Sequence, residues 1–185
     1  MKRLLIGMIM MAFAIHTAAA GYLGVYGAYW DTKDADSELG FGAKLSFALS
    51  PQLHLQLRGK YFEFSQDGVG GPGTSATLEV IPIQGALVYH LDAGLPVRPY
   101  IGGGVGYYLF DIEWSDRHST MNPDVDDEFG YFALAGALLE VNPSFGLFIE
   151  ASYSWVEIKR IGGFETTGDD TLDGFGLNAG LTLHW

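Results

Sequence analysis

The chain ends in Leu172-Asp-Gly-Phe-Gly-Leu-Asn-Ala-Gly-Leu-Thr-Leu-His-Trp185. Phe175, Leu177, Ala179, Leu181, Leu183 and Trp185 fall on alternate positions, with Gly174, Gly176, Asn178, Gly180, Thr182 and His184 between them. Side chains of an extended strand point to opposite faces in turn, so this stretch reads as a strand with one wholly apolar side. That side runs out to an aromatic residue at the final position. Its cover is expected to come from outside the chain.

The other end says where the chain goes. Lys2 and Arg3 precede an apolar run from Leu4 to Ile15, and Ala18-Ala19-Ala20 supplies the small residues that a signal peptidase needs. Residues 1–20 are therefore expected to be a cleaved secretory signal and residues 21–185 a single mature domain. The apolar run is too short to cross a bilayer as a helix, which takes roughly 20 residues. Cysteine is absent, so stability has to come from strand pairing and burial rather than disulfides. Asp and Glu number 22 against 10 Lys and Arg, and Lys2 and Arg3 leave with the signal. Phosphate contacts need clustered cations, which excludes nucleic acid as a partner.

From Gly21 onward, extended runs are expected at 21–30, 39–49, 53–64, 77–91, 97–110, 128–141, 145–158 and 172–185. Ser50-Pro51-Gln52, Asp92 to Pro96 and Asn142-Pro143-Ser144 are tight turns by composition. The links at 31–38, 65–76, 111–127 and 159–171 are longer, polar and acidic. Short turns on one side and long loops on the other are the layout of a bacterial outer-membrane barrel with periplasmic termini. The fold class is thus all-β: an eight-stranded antiparallel up-and-down transmembrane β-barrel, closed because no backbone group can stay unpaired in hydrocarbon.

The alternation assigns faces. In the second run Leu39, Phe41, Ala43, Leu45, Phe47 and Leu49 face lipid and Lys44 and Ser46 the lumen; in the third, Leu55 and Leu57 oppose His54, Gln56, Arg58 and Lys60. In the seventh, Leu147, Ile149, Tyr153 and Trp155 oppose Glu150, Ser152 and Ser154. The sixth run, apolar on both faces, is read as a strand because Gly130 and Gly136 disfavour a helix. Pro82 and Pro99 lie inside runs, and bulges or strand ends are expected there.

Leu78-Glu-Val-Ile-Pro82-Ile, Arg98-Pro-Tyr-Ile-Gly-Gly-Gly-Val-Gly106-Tyr, Gly136-Ala-Leu-Leu-Glu140-Val with Asn142-Pro143, Phe148-Ile-Glu150-Ala-Ser-Tyr153 and the final strand together resemble the small eight-stranded outer-membrane barrels. That broad group contains the OmpA barrel and the OmpW-like and opacity-like proteins. Asn178, Gly180, Leu183 and Trp185 resemble the C-terminal signal that the outer-membrane barrel assembly machinery reads. The resemblance implies a monomer in a Gram-negative outer membrane, with lipid and lipopolysaccharide as surroundings.

Two inward clusters are the candidate sites. If Leu49 pairs with Leu53, Lys44 falls opposite Arg58, and like charges face to face need an acid; Glu150 is the one available at that height, beside Gln84 and Asn178. Nearer the short turns, His54, His90, Arg98, Glu140 and His184 form a second polar layer. An interior of eight strands is just wide enough for side chains to fill, so a filled, ion-paired core is expected rather than a pore. Gly102, Gly104 and Gly106 are expected to make room for Tyr26, Phe148 or Arg side chains from opposite walls. Three His from three strands have no metal-ligand spacing, and neither metal nor cofactor is expected. His118 and Ser119 are adjacent in a polar link, a poor spacing for one to activate the other, so no catalytic residue is assigned. The functional expectation is a non-catalytic barrel, structural or surface-interacting; the alternative is an OmpW-like conduit for small hydrophobic solutes, and a lipid-modifying enzyme ranks below both.

Overall fold

The computed structural model describes residues 20–33, 37–67, 75–91, 96–116, 119–121, 127–156, 160–161, 164–165 and 173–185. The expected signal, apart from Ala20, lies outside these residues, as do most of the links at 65–76, 92–96 and 159–171 and parts of those at 31–38 and 111–127. Eight long strands make the barrel: β1 (Gly21–Thr32), β2 (Glu38–Ala48), β3 (Leu53–Asp67), β4 (Ser75–His90), β5 (Val97–Asp116), β6 (Glu128–Asn142), β7 (Phe145–Val156) and β8 (Gly174–His184). Each is antiparallel to the next, and β8 returns to pair with β1, so the sheet has no free edge. The β1–β8 ladder is unbroken from Tyr22↔His184 to Thr32↔Gly174. Trp185 extends it, donating its N–H to the Gly21 carbonyl at 3.2 Å and accepting from Gly21 N–H at 3.4 Å.

Two of the short turns are closed by the side chains their composition promised. Ser50 Oγ accepts from Leu53 N–H at 3.0 Å, and Asn142 Oδ1 accepts from Ser144 N–H at 2.9 Å. The register slips between Glu140 and Asn142, a bulge that sharpens the β6–β7 turn. On the loop side β3, β4 and β5 outrun the expected ends, because β4 and β5 stay paired up to Ser75↔Ser115. Above the membrane nothing forces one face to be apolar, so the alternation fades there while the ladder continues.

The face assignment holds across the wall. Leu39, Phe41, Val105 and Phe129 are among the most exposed apolar residues, while Lys44, Gln56, Arg58 and Glu150 are buried. Leu45 stays on the outward face, opposite exposed Leu57, but is itself fully buried between Leu23 and Leu57 on the adjoining strands. The apolar sixth run is strand β6, with Phe129 and Tyr131 outward and Phe132, Leu134 and Leu138 inward. Outward aromatics gather near its loop end, where Tyr131 stacks on Trp155 at 5.1 Å and Tyr107 meets Phe129 at 4.8 Å. Such a girdle marks the membrane–water interface.

Three local expectations need correcting. The lumen is more apolar than the alternation suggested: Tyr26, Trp30, Phe62, Val80, Val88, Tyr108, Phe132 and Phe148 join one buried cluster, since a narrow barrel has to be filled. The inward glycines of β5 do not admit groups from opposite walls; a Cβ on Gly102 would meet Val88, and one on Gly106 would meet Gln84 and Tyr108. They let β4 and β5 approach. Pro82, finally, makes no bulge: the Lys60↔Pro82 and Tyr61↔Ile81 pairs are missing from the β3–β4 ladder, yet the register is the same on both sides. Proline has no N–H to offer β3, and that single lost donor interrupts the ladder without shifting it. Pro99 sits close to the start of β5, where such a loss costs little.

A Cβ on Gly104 would collide with the Gly85 carbonyl and lie 2.8 Å from the Ala86 Cα, whereas one on Gly59 has nothing within 4 Å. Gly104→Ala is therefore expected to lower the urea midpoint and the fraction of fast-migrating, unboiled protein on a gel. Gly59→Ala should leave both unchanged.

Candidate functional site

Four strands converge on one carboxylate at mid-barrel. Lys44 lies opposite Arg58 across β2 and β3, and Asn178 opposite Glu150 across β8 and β7. Glu150 Oε1 accepts from an Arg58 Nη2 donor and from Asn178 Nδ2 at 2.9 Å. Its Oε2 accepts from the Tyr100 hydroxyl at 3.1 Å and lies 3.5 Å from Lys44 Nζ. Lys44, Arg58, Tyr100, Glu150 and Asn178 are each 1% exposed or less, so no water-filled path passes between them at this height. Gln84, opposite Arg58 in the β3–β4 register, does not reach the carboxylate; its Nε2 donates to the Tyr108 hydroxyl at 3.1 Å.

One anion faces two cations, and aromatic rings take up the excess charge. Lys44 Nζ stands 3.3 Å from the Phe148 ring centroid and 5.5 Å from that of Tyr100. Arg58 Cζ is 5.7 Å from the Phe132 centroid. The negative face of an aromatic ring attracts a cation most strongly where water is excluded. Lys60, the next inward residue of β3 toward the loops, is a third buried cation.

Tyr100 is the member that the sequence reading left out of the site. Gly136 is opposite Tyr100 on one side and opposite Glu150 on the other. A Cβ there would lie 2.6 Å from the Tyr100 oxygen. The glycine thus clears the line along which a hydroxyl of β5 reaches across β6 to a carboxylate of β7. The signal was available as an inward Tyr two strands from an inward Glu, but only the register reveals the glycine between them.

The turn-side residues divide into two groups. His54 and His90 have ring centroids 4.6 Å apart, Tyr22 stacks on His184 at 5.4 Å, and Ser46 Oγ is 3.1 Å from His54 Nδ1. Arg98 donates to Glu140 at 2.9 Å in a half-exposed pair at the rim. Between the two layers Gln56 Nε2 donates to the Tyr22 hydroxyl at 2.6 Å. Of the C-terminal residues, Asn178 serves the charged layer, Gly180 leaves room for Tyr26 and the Val25 carbonyl, and Leu183 and Trp185 are exposed on the outer face. At the loop end Lys33 bridges to Asp173 at 3.3 Å, and hydrogen bonding to Tyr153 and Asp173 holds its ammonium above the usual lysine range.

Glu150→Ala leaves two buried cations without their counter-charge, a change expected to cost about 3–5 kcal/mol, read as a lower urea midpoint. Adding Arg58→Leu should restore part of the loss, and outward Ala151→Val should do little. Gly136→Ala is expected to displace the Tyr100 ring and to destabilise less than Glu150→Ala. A double variant with Tyr100→Phe would show the two changes to be non-additive.

The match to known proteins agrees with this architecture. The family model described as outer membrane protein beta-barrel domain matches residues 4–184. No curated protein matches the sequence. Solved structures of similar fold include Neisserial surface protein A, at 17% identity and TM-score 0.61, covering 90% of this chain and 99% of that one. OprG from Pseudomonas aeruginosa aligns at 16% identity and TM-score 0.69, covering 92% and 97%. Ail, the attachment invasion locus protein of Yersinia pestis, solved in complex with the heparin analogue sucrose octasulfate, aligns at 12% identity and TM-score 0.60, covering 91% and 100%. At these identities the likeness is one of fold. With the family model spanning nearly its whole length, the chain belongs to the outer membrane protein beta-barrel domain family.

Proposed function

We propose that this outer-membrane barrel is a non-catalytic, monomeric protein, structural or surface-interacting, whose lumen is sealed to ions and whose termini face the periplasm. The observation that carries the reading is the charged layer: five side chains from five strands fill the mid-barrel section with no more than 1% exposure each. Opening it would separate buried charges from their partners, which costs several kcal/mol per ion. Lipopolysaccharide, outer-membrane lipid and the barrel assembly machinery are the partners that this placement implies.

The long links would make any surface contact, and their charge narrows the partner. Asp31, Asp34, Asp36 and Glu38 precede or open β2, and Asp111, Glu113, Asp116, Asp124, Asp126 and Asp127 lie at the end of β5 or between β5 and β6. Ail was solved with a sulfated heparin analogue; an acidic rim repels such a polyanion and favours cationic partners, or phosphates bridged through divalent ions. Against catalysis, the Ser46–His54 contact sits where Ser46 is wholly buried, out of reach of a substrate carbonyl.

A second reading, a sideways route for hydrophobic solutes, is favoured by the interrupted β3–β4 ladder at Pro82. The two readings separate by experiment. The sealed barrel is expected to give no stepwise current in planar bilayers with concentrated KCl, and discrete openings would overturn it. If the gap conducts hydrophobic solutes, Pro82→Val, which restores a donor toward β3, should slow alkane uptake by cells; uptake at the parent rate removes the second reading.

A further inference from the structure

The turn-side end of the lumen holds a group of side chains that the charged layer does not use. A cavity of about 450 Å³ lies there, with His54, His90, Arg98, His184, Leu138 and Trp185 in its lining. That volume is within the range of small-molecule sites, roughly 300–1,000 Å³. His90 is the second and independent sign of a ligand. It is only 4% exposed, yet neither Nδ1 nor Nε2 has a hydrogen-bond partner. A neutral imidazole carries one donor and one acceptor whichever tautomer it adopts, and buried polar atoms are as a rule paired.

The other groups converge on a donor-rich wall. The His90 ring is held between those of His54, at 4.6 Å, and Tyr100, at 5.2 Å. Ser46 engages His54 Nδ1 and Thr182 engages His184 Nε2, so each of these rings keeps its other nitrogen for a further partner. Arg98 is held by Glu140 through Nη1, which uses one of a guanidinium's five N–H donors. Among the described residues no Asp or Glu side chain is in the lining, and Glu140 is committed to Arg98 at the rim. Leu138, Pro143 and Trp185 supply the apolar part of the lining. Among the described residues no three ligating side chains converge as a metal would require.

We propose that this vestibule binds a small carboxylic acid with an apolar body. The carboxylate takes N–H donors from Arg98 and His90, and the body rests on Leu138 and Trp185. One feature selects a monoanion over phosphate: Glu140 already offsets part of the Arg98 charge at the rim. Nothing in this site depends on whether the charged layer above it conducts.

Benzoate is the probe. The detergent-solubilised outer-membrane form, with ring-labelled histidine, should show a saturable shift of the His90 imidazole signals on benzoate titration. Arg98→Gln and His90→Phe should each weaken binding about tenfold, the loss of one hydrogen bond to a charged group. Lys33→Gln, at the opposite end of the barrel, should bind as the parent does. Arg98 is half-exposed and Phe keeps a ring between His54 and Tyr100, so both variants should retain the gel shift of the folded barrel, which separates lost binding from lost folding. An absent or unsaturable shift, parent-like binding in both folded variants, or phosphate binding as tight as benzoate would overturn the proposal.

Discussion

Every backbone N–H and C=O that faces hydrocarbon has to be paired within the protein, and from that constraint the remaining structure follows. A single sheet meets it only by closing, and closure rests on β8 finding β1. The unbroken ladder between them, carried to the last residue by the reciprocal Gly21–Trp185 bonds, removes the edge that an open sheet would leave in lipid. Closure also explains why one missing donor at Pro82 is tolerated: the ladders on either side hold the register, so the wall loses two pairs without slipping. With eight strands, closure further fixes the interior as too narrow to stay empty. Aromatic and aliphatic side chains fill the half toward the loops, where Trp30 packs against Phe62 at 5.3 Å and Tyr108 at 6.3 Å.

Filling a barrel with charge is costlier than filling it with rings, and the mid-barrel layer shows how the cost is offset. Glu150 accepts hydrogen bonds from β3, β5 and β8, and the Lys44 ammonium of β2 pairs with it at 3.5 Å. The Phe148, Tyr100 and Phe132 rings lie near the two cations and attract them through the negative faces of their π-systems. A buried ion pair adds little net stability over apolar packing, but breaking one is expensive. Only this strand order and register bring the four partners to one carboxylate.

The two ends of the lumen differ for the same reason. Toward the loops aromatic and aliphatic side chains dominate the core around Lys60. Toward the turns the imidazoles of His54, His90 and His184 and the Arg98 side chain line open space, and His90 packs on Tyr100 of the charged layer. Among the described residues a charged layer fills mid-barrel and a vestibule lies on its turn side.

How much of this was legible in the chain divides along a physical line. Alternation with period two is a local property, so the eight strands, the outward Leu and Phe residues, the inward Lys44, Arg58 and Glu150, and the turns at Ser50 and Asn142 could all be read from residue order. Hairpin pairing is nearly local, and placing Leu49 against Leu53 was enough to set Lys44 against Arg58. What could not be read is which inward groups touch across the lumen. That depends on the stagger accumulated around the whole barrel, which no single strand encodes. Tyr100 reaching Glu150 over Gly136, Gln84 turning to Tyr108 instead, Val88 filling the place beside Gly102, and His90 left unpaired beside a cavity were all decided there. Residue order determined which face each side chain takes; only closure of the barrel decided what it meets.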